Sequence, residues 1–177
     1  MPLTIELPSI EGQAAFNLKR WHEILADSSL TKLPHRIETD RHGHIVMSPP
    51  PAFHHSQRQG KIVGLMLALL PEGQALPECP LSTSDGVKAI DVAWLSAGRE
   101  EHVLKPVLLE RAPEICVEII SPSNTVSKIK EKQALYFEAG AQEVWTCGMD
   151  GKLRFYAAPG REVDASRLCP GFSKGIG

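Results

Sequence analysis

The chain has 177 residues, 42% of them hydrophobic and 23% charged, which is enough for one domain with a real core and argues against wholesale disorder. Its formal net charge of −2 excludes nucleic-acid binding by bulk positive charge, so any such contact must come from a local patch. The longest apolar run, residues 62–70, is broken by Gly64 and is far too short to span a membrane, so no membrane association is expected.

Residues 13–27 set Ala14, Leu18, Trp21 and Leu25 on one face, which predicts a helix. In the following HRIETDRHGHIVMSPPP, alternating pieces at 36–38 and 44–47 flank Arg41-His42-Gly43, a hairpin pattern ended by three prolines. Residues 55–70 predict a second helix with Ser56 as its amino-terminal cap. Strands are expected at 74–83 and 88–95, joined by Ser84-Asp85-Gly86, and at 114–120, a β-branched run suited to a central strand. Residues 96–112 are charged and irregular. Ser121-Pro122-Ser123-Asn124 stops the central strand, and a third helix over 127–139 closes at Gly140. Further strands at 142–147 and 152–157 surround Met149-Asp150-Gly151, and the tail from Pro159 is expected to pack loosely. The order predicts a single α/β domain, residues 1–177, with a mixed sheet flanked by helices.

Glu6 and Glu11 precede any apolar stretch, unlike a secretory signal. Cys79, Cys116, Cys147 and Cys169 are scattered, with no C-x-x-C pair, and both features fit a reduced cytoplasm. His54-His55 and His42-x-His44 lack the cysteine partners and full ligand set of a zinc site, so zinc is not expected.

Asp91 and Glu118 each interrupt a β-branched strand pattern. Alternation turns Asp91 away from Ile90 and Val92, and Glu118 away from Val117 and Ile119. A carboxylate in a buried strand is costly unless paired or metal-bound, and two that converge repel unless a hard divalent cation lies between them. On a half-exposed sheet each would simply point to solvent. Spacing alone does not choose between these readings.

The segments IDVAWLS, VEIISPSN and KEKQALYFEAGAQEVW occur in that order behind HRIETDRHGHIVMSPPP and the helix near His55. Together they resemble the Uma2 family of restriction-endonuclease-like proteins, within the PD-(D/E)XK superfamily, over residues 12–157. The resemblance implies a restriction-endonuclease-like fold with an amino-terminal helix and hairpin. It also implies phosphodiester hydrolysis supported by Mg²⁺ (or Mn²⁺), with DNA as substrate and a homodimer as the working form.

Residue by residue, the resemblance gives Asp91 the role of the motif aspartate, although Ile90 stands where the family often has proline. Glu118 takes the second acidic role, and the Ile119 carbonyl would join both as a metal ligand. The motif's lysine position holds Ile120, so Lys132 on the following helix is the expected cation. Lys128, one turn earlier on the same face, is an alternate, though the family commonly has an acid there. Weaker candidates are Glu38, His55 at a helix amino terminus where a phosphate could sit, and Gln133 beside the lysine. Glu143 is expected to be structural, in a salt bridge to the third helix. Tyr136, Trp94 and Trp145 are expected in the core rather than as stacking platforms for bases. The second functional reading is a catalytically inactive nuclease fold kept for nucleic-acid binding or assembly, which the acidic balance and the missing in-strand lysine favour.

Overall fold

The β-branched and aromatic runs gather from residue 73 onward, and there the main sheet forms. The computed structural model describes residues 10–103 and 107–177, so Glu6 and residues 104–106 of the irregular segment lie outside the described residues. In chain order the elements are α1 (Ile10–Ala26), α2 (Ser28–Thr31), β1 (Arg36–Thr39), β2 (Ile45–Ser48), α3 (Phe53–Leu69), β3 (Gly73–Thr83) and β4 (Gly86–Ser96). Then follow α4 (Ala97–Glu100), β5 (Ile115–Ile119), α5 (Val126–Glu138), β6 (Glu143–Cys147), β7 (Leu153–Ala158) and β8 (Arg161–Val163). Strands β1 and β2 form their own hairpin, and the other strands form a mixed sheet in the order β3-β4-β5-β6-β7-β8. The pair β5–β6 is parallel, and α5 supplies the crossover that a parallel pair requires.

Two apolar layers cover the sheet. On one face Ile62 and Met66 of α3 meet Val92, Trp94, Val117 and Trp145. On the other, Tyr136 of α5 meets Ile90, Ala93, Cys116 and Val144. Trp94, Tyr136 and Trp145 are thus core side chains, as expected. Ile90 and Val92 pack into different layers, so the simple alternation expected around Asp91 breaks at that residue.

The first hairpin is fastened across β4 by side chains. Val87 N–H donates to Thr39 Oγ1 at 2.9 Å and Ala89 N–H to Glu38 Oε1 at 2.8 Å. These contacts satisfy strand amides that β5, paired to β4 only at residues 92–94, leaves open. Gly86 has φ +84°, and a Cβ there would lie 2.4 Å from the Thr39 and Asp40 carbonyl oxygens. The Asp85-Gly86 turn therefore also seats the hairpin, and only glycine fits it.

Three expectations about this framework are corrected. Helix α3 starts at Phe53, and its cap is Ala52 without a side-chain bond, so Ser56 lies inside the first turn and caps nothing. The segment after β4 is not wholly irregular, because Ser96 caps the short α4 by accepting from Arg99 N–H. The tail is not loose: Cys169, Phe172 and Ile176 are buried, and Phe172 sits 4.8 Å from Trp145, ring centre to ring centre.

Glu143 holds that tail, not the third helix. Its carboxylate accepts from Trp145 Nε1 at 2.8 Å, Ser166 Oγ at 2.7 Å, Arg167 N at 2.8 Å and Leu168 N at 3.0 Å. Glu143→Ala orphans all of these donors and is expected to cost about 3 kcal/mol in a urea titration, with the tail becoming protease-sensitive. An unchanged midpoint would contradict the clamp. Among the described residues no helix is long and apolar enough to cross a membrane.

Candidate active site

Asp91 and Glu118 come from neighbouring strands. The β4–β5 register pairs Val92 with Val117, and one further step sets Asp91 across from Glu118. There the backbones part, and the Asp91 side chain fills the gap: its Oδ2 accepts the Ile119 N–H at 2.6 Å. A strand residue sends its N–H and C=O to the same edge, so Ile119 presents its carbonyl beside Asp91. Both carboxylates are almost fully buried, yet both line a cavity of about 820 Å³ between the hairpin, the start of α3, the end of β5 and the start of α5.

Helix α5 begins soon after β5, where Thr125 Oγ1 caps it by accepting from Lys128 N–H. That start aims Lys132 back over the strands. Its Nζ lies 2.7 Å from Glu38 Oε1 and 3.2 Å from Glu118 Oε2. Tyr136, one turn on, donates its hydroxyl to Glu118 Oε1 at 2.6 Å. The first hairpin thus brings Glu38 into the cluster as the second partner of the lysine.

Asp91 has a different set of partners. The Arg36 guanidinium forms an ion pair with its Oδ1, and His55 Nε2 lies 3.5 Å from the same atom. His55 is buried, not poised at an open helix end, and its Nδ1 is buried without a hydrogen-bond partner.

Electrostatics separate the two acids. Burial opposes the Asp91 charge, but His55 and Arg36 outweigh it and hold the carboxyl down at about 2. Burial pushes Glu118 up to about 7, against the pull of Lys132. Burial also opposes the Lys132 charge, and Glu118 and Glu38 overcome it, raising the ammonium above the ordinary lysine range.

Two candidates do not join the cluster. Lys128 is exposed at the cavity mouth, because the helix start that carries its backbone N–H onto Thr125 leaves its side chain in solvent. Gln133 points away from the acids, and its Oε1 accepts from Gly160 N–H at 3.1 Å.

Three side chains at the site escape the sequence reading: Arg36, Gln59 and Glu78. Arg36 and Glu38 share one face of β1, so strand alternation from Glu38 is the signal that points to Arg36. Gln59 lies one helical turn beyond His55. Glu78 sits within Pro77-Glu78-Cys79-Pro80, where two prolines inside a strand signal an interrupted ladder.

The oxygen donors suit a hard divalent cation: Asp91, Glu118 and Ile119 line one cavity, and Glu38 and Glu78 add further negative charge against Arg36 and Lys132. Among the described residues no three His, Cys, Asp or Glu side chains form a ready-made ligand set, so the Ile119 carbonyl and water would have to complete the shell.

No curated protein matches the chain. A solved structure described as a "putative nuclease belonging to DUF820", from Anabaena variabilis, superposes with a TM-score of 0.66 at 20% identity, covering 82% of this chain and 91% of that one. That likeness carries the fold. The sequence profile of the Uma2 family, described as "Putative restriction endonuclease", matches residues 27–165, and the chain belongs to that family.

Proposed function

We propose that the protein is a divalent-cation-dependent endonuclease that hydrolyses phosphodiester bonds in DNA. The observation that carries the reading is one cavity lined by Asp91, Glu118 and Lys132, with the ammonium held between Glu118 and Glu38. Asp91, Glu118 and the Ile119 carbonyl would hold Mg²⁺ (or Mn²⁺), which supplies Lewis-acid polarisation of the phosphodiester and of the attacking water. Water adds to phosphorus as the bond to the leaving oxygen breaks in line; the proton released by the water passes to solvent, and the leaving oxygen takes one up from solvent. Lys132 keeps a fixed positive charge where negative charge grows on the phosphorane, and its two carboxylate partners stop it from swinging into solvent. Tyr136 and the Ile119 N–H hold the two acids in position from behind.

The working form in this reading is a cytoplasmic homodimer, in which two-fold symmetry presents one cavity to each DNA strand. Light scattering should then give twice the 19.4 kDa chain mass.

The second reading, a nuclease fold retained only for binding, draws support from Arg36 and Lys132, which already neutralise Asp91 and Glu118 within the protein. Supercoiled plasmid separates the two. The enzyme is expected to nick or linearise it in Mg²⁺ or Mn²⁺, and Asp91→Asn is expected not to. Equal cleavage by the variant, or none by the parent with either ion, would overturn the proposal.

A further inference from the structure

Arg36 has no part in the hydrolytic reading, yet it has the most elaborate setting in the cavity. Its guanidinium pairs with Asp91 Oδ1 and, through Nε and Nη2, with both oxygens of Glu78 at 2.9 Å. Arg36 is 19% exposed and Asp91 2%, whereas Glu78 is 47% exposed. One cation therefore bridges a buried ligand position and an open one.

The backbone is distorted to build this second seat. Glu78 has φ +51°, a left-handed conformation that a side chain other than glycine adopts at a cost. The β3–β4 register pairs Pro77 with Val92 and Cys79 with Ile90, but skips Glu78 opposite Asp91. Gln59 takes over the vacated bonds, with Nε2 donating to the Asp91 carbonyl at 2.8 Å and to Glu78 Oε1 at 2.8 Å. The opened ladder turns the Glu78 carboxylate toward the guanidinium, away from its expected place in the strand.

We propose that Arg36 is a displaceable counter-cation: it occupies Asp91 when no divalent ion is bound and withdraws onto Glu78 when one takes Asp91, so that Arg36 and Glu78 together set the affinity of the site. The proposal rests on the cation-binding reading above. A bound ligand is favoured only by its differential contacts with the two arrangements, so removing the competitor and removing its second seat must act with opposite sign.

Mn²⁺ titration by calorimetry tests this. Arg36→Met removes the competitor and is expected to bind Mn²⁺ about tenfold more tightly than the parent. Glu78→Gln leaves the guanidinium only Asp91 and is expected to bind several-fold more weakly. The double variant is expected to match Arg36→Met, because Glu78 acts through Arg36; a Glu78 effect that persists without Arg36 would mean simple charge attraction and would overturn the proposal.

Thermal unfolding checks that each variant folds. If Arg36→Met does not, Arg36→Lys carries the test, since it keeps the charge but loses the two-pronged grip, and affinity above that of the parent is expected. Parent-like or weaker binding by folded Arg36 variants would overturn the inference while leaving the cation site standing. No Mn²⁺ binding by the parent or by any variant would instead remove the cation site, and this inference with it.

Discussion

Glu118→Gln is expected to lower phosphodiester cleavage by about 10²–10³-fold while the protein stays folded. The amide is nearly isosteric, so its oxygen can still accept the Tyr136 hydroxyl, and Lys132 keeps Glu38 as an ion-pair partner. What disappears is one of the two buried charges that attract the cation. The same variant also reports on pH. Glu118 titrates at about 7 in the fold against an ordinary value of 4.5, so the native state holds this proton more tightly than the unfolded chain does. Its contribution to stability is fully present below 4.5 and is lost as pH rises through about 7. Glu118→Gln lacks that titration, so its melting temperature should gain on the parent across this interval. Mn²⁺ affinity of the parent should climb over the same interval, because the ionised form is the cation ligand. A parallel pair of melting curves would show that burial does not perturb Glu118.

Lys132→Met is expected to combine loss of cleavage, again about 10²–10³-fold, with a stability cost of about 3–5 kcal/mol. The cost arises because Glu38 and Glu118 are both buried and both lose their cation. Adding Glu38→Gln should recover much of the stability, since one of the stranded charges is gone, yet cleavage should stay low. A urea titration and the plasmid assay separate the two effects. If Lys132→Met cleaves normally, the helix lysine is only a structural ion pair.

The sequence shows some parts of this site and hides others for physical reasons. Carboxylates inside β-branched runs mark Asp91 and Glu118 because burial of charge needs a reason, and a helix starting soon after β5 limits where Lys132 can reach. The lysine's second partner is harder to read. Glu38 arrives through a hairpin that docks by side-chain to backbone bonds, and these leave no periodic signal. A helix taken to begin at residue 55 places His55 at an open amino terminus, yet α3 starts at Phe53 and the ring is buried. Gln133 neighbours the lysine in sequence, but adjacent helical positions face different directions, and it meets Gly160 instead. Glycine and proline in the tail suggest loose packing because they break regular structure, but β8 adds to the sheet edge and Glu143 gathers the Ser166, Arg167 and Leu168 donors.

The distortion at Glu78 was legible in part. Pro77 and Pro80 announce that β3 cannot pair continuously, but only the fold shows that the interruption lies opposite Asp91. Sequence periodicity reports which face a residue occupies. It does not report which neighbour stands across a strand.

The most direct test of the central claim is a crystal grown with Mn²⁺ and measured at the manganese absorption edge. Anomalous density is expected within coordination distance of both the Asp91 and Glu118 carboxylates, on the Ile119 carbonyl side, with Lys132 still bound to Glu38. A manganese-free cavity with Arg36 on Asp91 and Lys132 on Glu118 at saturating ion would contradict it.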